Sequence, residues 1–343
     1  MKIMKIETSE YCTVGHPDRM CDYIASYILD RYLERDRDAR VALEVQFKDC
    51  FVTVSGEVTS CIRFTNAEIA AFVREAVKKI GYTDTYRDKW GEENTISGDG
   101  LEVTVHLSQQ SGDIAQGVDR ASWGDQGIMF GMATRDRAHG QLPAAYDYAR
   151  LVGQELMVRE LGGLDIKTQV TTKDGKPVEV VVAIPLRDES AKTEVERVVR
   201  ALCGEGIELT INGTGRYVKH GPIGDCGTTG RKLVVDFYGG HCRIGGGSPW
   251  GKDPTKADVA LNRYARHLAL DYLKTHDLEC VFVQISCCIG LQRIRIAYFD
   301  ESGNMIESRV EETPTDHVIE LLKLKEPRYA VTCRYGLFGY ERD

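Results

Sequence analysis

KADVALNRYARHLALDYLKTHDLECVFVQISCCIGLQRIRIAYF, residues 256–299, holds a helix and two strands in one short run. Lys256–Lys274 is amphipathic at helical spacing. Val281–Cys288 and Arg293–Phe299 read as strands, and the few residues between them make a short turn. Strands joined so closely pair antiparallel, which predicts an α+β chain. A strand over Lys232–Tyr238 and a short helix near Asp316–Leu322 complete the last third.

The same grammar recurs upstream. In the middle third a helix over Gln141–Leu161 precedes strands at Thr168–Thr172 and Val178–Leu186. A helix at Lys192–Leu202 and a strand at Glu208–Asn212 follow. The first third predicts a helix over Asp18–Asp36, with Cys21, Ile24, Ile28 and Tyr32 on one face. Phe51–Val58 alternates as a half-buried strand, and Glu102–Leu107 is another. Between them Asn66 caps a helix striped by Ile69, Phe72, Val73, Ala76, Val77 and Ile80, which stops at Gly81. Three units are expected, at 1–120, 121–219 and 220–343, with no low-complexity linker between them.

Composition narrows the function. Among 343 residues, 44 basic side chains face 52 acidic ones, a net charge of −8 that argues against a nucleic-acid binder. Mean hydropathy is −0.30, and no apolar run is long enough for a membrane span or a signal peptide, so a cytoplasmic protein is expected. The 11 cysteines lack C-x-x-C spacing and read as buried, reduced thiols.

Glycine, at 34 residues, is concentrated between Gly213 and Asp258. Glycines let backbone N–H groups approach an anion closely. Arg231, Lys232, Lys252 and Lys256 sit among them, a local cationic cluster in an acidic chain that points to a polyphosphate. Asp253 and Pro254 suit the N-cap and first turn of a helix whose positive end faces the same anion. Gly246-x-x-x-x-Gly251-Lys252 approaches a P-loop, but Asp253 stands where a hydroxyl is needed and Pro254 follows. His16-Pro17-Asp18 opens a helix, where an anion or its metal fits. Gln109–Val118 with Gly124-Asp125-Gln126-Gly127 forms a polar, glycine-punctuated loop, a candidate lid.

In these stretches, and in Asp165-Ile166-Lys167-Thr168-Gln169-Val170, the chain resembles the S-adenosylmethionine synthetases (methionine adenosyltransferases). The resemblance implies three pseudo-symmetric α/β domains of mixed or antiparallel sheets, with helices on one face. It implies a homodimer with shared active sites, or a tetramer of such dimers, and no nucleic-acid or membrane partner. The implied reaction joins the sulfur of L-methionine to C5′ of ATP, expels triphosphate, and hydrolyses it to phosphate and pyrophosphate. By correspondence His16, Lys167, Arg231 and Lys252 are catalytic. His16, Asp165, Lys167, Arg216, Tyr217, Asp225, Arg231, Lys232, Ser248 and Lys252 bind ATP; Glu57, Gln110, Asp225 and Lys256 bind methionine. Asp18 and Asp258 would hold Mg²⁺, two per site, and Glu44 one K⁺.

The chain also departs from the family pattern. Ala121-Ser122-Trp123 leaves a shorter loop, and Glu160-Leu161-Gly162-Gly163-Leu164 replaces the usual Leu-Pro-Trp. Tyr217-Val218-Lys219-His220 replaces Phe-Val-Ile-Gly, Ser248-Pro249-Trp250 replaces Ala-Phe-Ser, and Ile244 replaces a common His. The charged positions are spared. The alternative these changes suggest is a diverged homologue that holds nucleotide without turnover.

Overall fold

The computed structural model describes residues 5–109 and 121–339. Three four-stranded sheets share one plan, in which an antiparallel hairpin is flanked by a third local strand and by one strand from elsewhere. In the first, β2 (Arg40–Lys48) and β3 (Phe51–Thr59) pair antiparallel, and β4 (Glu102–Ser108) joins β3 in parallel. Helices α2 (Asn66–Ile80) and α3 (Asp84–Trp90) supply the crossover that a parallel neighbour demands. In the second, β6 (Lys167–Lys173) and β7 (Lys176–Ala183) form the hairpin. Helix α5 (Lys192–Cys203) then carries the chain to the parallel β8 (Glu208–Ile211). The third breaks the pattern once. Strands β10 (Cys280–Cys287), β11 (Arg293–Phe299) and β12 (Met305–Glu312) follow one another through tight turns, so all pair antiparallel.

The fourth strands show how the units are tied together. β1 (Ile6–Cys12) pairs with β6, β5 (Gly127–Thr134) with β10, and the two-residue β9 (Gly227–Thr228) with β2. The segments 1–120, 121–219 and 220–343 therefore each lend their first strand to the next sheet in a closed cycle. A division into contiguous units cuts across these pairings. The reason is hydrogen bonding: an edge strand needs a partner, and here the neighbouring segment supplies it.

Helices cover one face of each sheet. α1 (Pro17–Leu33) and α2 pack on the first, α4 (Ala144–Val158) and α5 on the second, and α7 (Ala257–Thr275) on the third. Three apolar clusters mark these layers, centred on residues such as Ile28 and Val54, Val152 and Val182, and Leu261 and Ile285.

Several local expectations change. Lys232–Tyr238 is no strand: α6 (Leu233–Asp236) forms instead, because Asp236 and Phe237 N–H groups bond back to Lys232 and Leu233. Thr65, not Asn66, caps α2, completing a capping box with Glu68. Asp253 does not cap α7; it is buried and accepts the Val41 N–H at 2.8 Å, fastening its loop to β2. All 11 cysteines are free, but Cys61 and Cys288 are exposed, since each lies in a turn beyond the end of a strand.

Asp30 on α1 accepts the N–H groups of Tyr329 and Ala330, each at 2.9 Å, which caps α8 (Tyr329–Tyr335). Burial pushes its carboxyl from 3.8 up to about 6, against the pull of those N–H groups and Arg31. The fold therefore binds this proton more tightly than the unfolded chain does. Stability should fall as pH rises through that window and level off above it. Asp30→Asn should flatten a component of about 2 kcal/mol in urea unfolding between pH 4 and 7. An unchanged curve would place the titration elsewhere.

Candidate active site

The site is built around the first turn of α1. Pro17 occupies the first helical position and His16 caps it, Nδ1 accepting the Asp18 N–H at 3.2 Å. That bond leaves the imidazole proton on Nε2. Burial, and next the Lys232 cation, lower His16 to about 4, so at neutral pH it is an uncharged donor. Asp18 is fully buried. Its Oδ1 accepts the Thr228 N–H at 2.9 Å, its Oδ2 takes Lys232 Nζ at 2.5 Å, and Arg231 Nε stands at 3.5 Å. Glycine makes this crossing possible, because a Cβ on Gly227 would lie 2.2 Å from the Pro17 carbonyl.

A second group of charges sits at the start of α7. Lys252 Nζ meets Asp258 Oδ2 at 2.6 Å, and Asp258 Oδ1 accepts the Gly247 N–H at 2.7 Å. β2 holds this loop: Lys252 bridges to Ala42, and Leu43 N–H donates to the Gly251 carbonyl at 3.0 Å. Glu57 lies opposite Ala42 on β3, one strand from Lys252. Glu44 also faces this group; burial raises its carboxyl although Lys252 pulls the other way, and Asp258 adds to the rise. Lys256 pairs with Asp253 at 3.2 Å.

The two groups touch where a Cβ on Gly230 would meet Ser248 at 2.8 Å. A cavity of about 270 Å³ lies beside them, lined by Glu10, Lys167 and Gly230 to Val235. Lys167, at the head of β6, pairs with Glu10 at 3.0 Å. Asp165 is buried; its Oδ2 accepts the Gly221 N–H at 2.9 Å, and Tyr217 Oη donates to its carbonyl at 3.2 Å. Burial pushes its carboxyl up to about 6. Asp225 is exposed and adds to the fields felt by both His16 and Asp165. Ser248 Oγ accepts the Trp250 N–H at 3.2 Å. Arg216 is exposed, outside these contacts, and Gln110 lies outside the described residues.

Many glycines read as an anion cradle serve chain crossings instead. A Cβ on Gly245 would lie 1.8 Å from the Ile128 carbonyl, and one on Gly251 2.6 Å from Ala25. The residues that sequence reasoning missed lie beneath the site. Arg19, fully buried, pairs with Asp236, donates to the Cys333 carbonyl and stands 5.6 Å over the Trp250 ring. Trp250 Nε1 donates to Asp236 Oδ2 at 2.7 Å, and Asp22 Oδ1 accepts the Gly230 N–H at 2.8 Å. Arg19 and Asp22 lie three apart on the side of α1 away from the Cys21, Ile24, Ile28 and Tyr32 stripe, where periodicity predicts exposure, so the sequence carried no signal for them.

Among the described residues no three His, Cys, Asp or Glu side chains gather into a ready-made metal cage. Asp18 and Asp258 are single carboxylates beside cations. That donor set fits Mg²⁺ held by one carboxylate plus phosphate oxygens and water, not an all-protein site.

Lys167, Arg231, Lys232 and Lys252 gather with buried carboxylates and a neutral histidine donor on a three-sheet α+β fold, an arrangement suited to an enzyme that handles a polyphosphate. Family models for the S-adenosylmethionine synthetase N-terminal and C-terminal domains match residues 4–112 and 219–343. S-adenosylmethionine synthase 2 of Rhodospirillum rubrum is 35% identical, over 97% of this chain and 91% of its own. The structure of an unusual S-adenosylmethionine synthetase from Campylobacter jejuni matches with a TM-score of 0.85 at 30% identity, covering 98% of this chain and 95% of that one. The chain belongs to the S-adenosylmethionine synthetase family. It is a methionine adenosyltransferase, making S-adenosylmethionine from ATP and methionine. The family generally works with a divalent metal and potassium. No helix among the described residues is long and apolar enough to cross a membrane.

Proposed function

We propose that the site aligns the methionine sulfur with C5′ of ATP and stabilises the triphosphate as it departs, before hydrolysing it. A thioether is a neutral nucleophile, so the first step needs no general base. The difficulty is the charge that develops on the leaving group, and fixed donors aimed at that charge lower the barrier. His16 Nε2–H donates near the breaking bond, and Arg231, Lys232, Lys252 and Lys167 hold the phosphate chain. Each ammonium carries three N–H donors, so a lysine bonded to a carboxylate keeps others for phosphate oxygens. Asp165, Arg216, Tyr217, Asp225 and Ser248 serve the nucleotide; Glu57, Gln110, Asp225 and Lys256 serve methionine. Mg²⁺ ions on Asp18 and Asp258, two per site, would neutralise phosphate charge when bound, and Glu44 would hold one K⁺.

The reading is carried by one observation: Lys232 on buried Asp18 and Lys252 on Asp258 stand on adjoining loops, with neutral His16 capping the helix between them. The non-catalytic alternative has no feature in its favour, since every charged position expected among the described residues is present. Exposed apolar side chains on the sheets, among them Phe51, Ile128, Val178 and Val310, support cover by a second copy, hence a homodimer or a tetramer of dimers. Unpaired thiols support a cytoplasmic setting.

One experiment tests the proposal. The protein, sized by light scattering, is incubated with ATP, methionine, Mg²⁺ and K⁺, and products are read by mass spectrometry and phosphate release. The sulfonium product with phosphate and pyrophosphate, dependent on methionine and formed by the dimer, is expected. ADP formed without methionine would overturn the reaction; a fully active monomer would overturn the shared site.

A further inference from the structure

A buried hydrogen-bond relay joins two loops at the nucleoside side of the site. His220 is fully buried, with Nδ1 at 2.7 Å from the Val218 carbonyl and Nε2 at 2.7 Å from Tyr86 Oη. Leu164 N–H donates to the same Tyr86 oxygen at 2.9 Å. Burial lowers His220 to about 4, and for the neutral ring these contacts admit one proton arrangement. A carbonyl only accepts, so Nδ1 carries the hydrogen and Nε2 is the acceptor. Tyr86 therefore donates its hydroxyl proton to Nε2 and accepts from Leu164, and every polar group in the relay is satisfied.

The packing is equally specific. The Trp90 and Tyr86 rings each stand edge-on to His220, at 4.8 Å and 5.8 Å. Tyr82 lies beside them and donates to the Gly15 carbonyl at 2.7 Å, immediately before His16. A Cβ on Gly163 would come within 3.1 Å of His220 Nε2, so the 160–164 loop must pass close to the imidazole. The relay's ends are the immediate neighbours of functional residues. Leu164 precedes Asp165, and His220 precedes Gly221, whose N–H holds the Asp165 carboxylate at 2.9 Å.

We propose that Tyr86 and His220 are positioning residues for the nucleoside end of ATP: through one relay they fix the Leu164–Asp165 and Tyr217–Gly221 loops against each other. The inference rests on the reading of Asp165 and Tyr217 as ATP-side residues. Neither relay residue touches the phosphate cage, so loosening the relay acts on nucleotide binding and spares triphosphate chemistry.

Tyr86→Phe keeps the ring and deletes both of its hydrogen bonds. The expected result is a rise of about tenfold in KM for ATP. KM for methionine, kcat and hydrolysis of added inorganic tripolyphosphate should stay within about twofold. His220→Gln, whose amide oxygen can take the place of Nε2, should raise KM for ATP less than Tyr86→Phe does. The double variant should be no worse than Tyr86→Phe alone, as residues of one relay are not additive. Should Tyr86→Phe not fold, His220→Gln and His220→Leu carry the test, with the larger rise expected for leucine. Equal rises in both KM values, or matching losses of kcat and tripolyphosphate hydrolysis, would overturn the inference. If wild-type protein forms no sulfonium product, the reading of the reaction fails; if it does and Tyr86→Phe keeps its KM for ATP, only this inference fails.

Discussion

Lys252→Met should lower adenosyl transfer by about two to three decades, the loss seen when one donor to a developing oxyanion is removed. The exchange keeps most of the side chain's length and apolar stem while deleting its charge. Lys252 Nζ lies 2.6 Å from Asp258 and its side chain is 18% exposed, so water replaces the lost cation poorly. Its backbone is fixed by the bridge to Ala42, so the loop should hold its course without the ammonium. The fall should appear in kcat more than in KM, because the triphosphate gains charge only as the bond breaks. Single-turnover kinetics on protein with an unchanged thermal midpoint would check this. Turnover near wild type would remove Lys252 from the mechanism.

Arg19→Met should be the most destabilising single change, at about 3–5 kcal/mol in urea unfolding. Arg19, Asp22 and Asp236 are all fully buried, and Arg19 is the cation that both carboxylates face. Removing it strands two carboxyls that burial already holds above the usual range: the Asp236 field raises Asp22 further against the Gly230 N–H, while Asp236 keeps only the Trp250 N–H and Lys232 to lower it. The loss should deepen as pH rises, because the fold then resists ionisation of groups that ionise freely in the unfolded chain. Activity should suffer too, since Asp22 holds Gly230 and Asp236 holds Trp250, the residues beside Arg231 and Lys252. A loss under about 1 kcal/mol would show that the cluster is neutralised without Arg19.

Much of the fold was legible from periodicity. Arg293–Phe299 was read at its observed bounds, and α1, α4, α5 and α7 came within a few residues of theirs. Lys232–Tyr238 misled because its apolar pattern fits a strand, whereas Asp236 is drawn inward by Arg19 and Trp250. β9 spans two residues, too short for any pattern, yet it carries the N–H that binds Asp18. The glycine density signalled close approach, but whether to an anion or to another strand depended on partners far along the chain.

The amino-acid order by itself determined the residue types of the site, the α+β class and the family, because charge, glycine content and hydrophobic period are local properties. Only the tertiary structure decided which carboxylate each lysine meets, that three sheets exchange strands in a ring, and that Tyr86 and His220 share one proton arrangement. Those outcomes turn on pairs such as Asp18 with Lys232 and Arg19 with Asp236, more than two hundred residues apart. Their energies arise from burial and distance, which no local pattern contains.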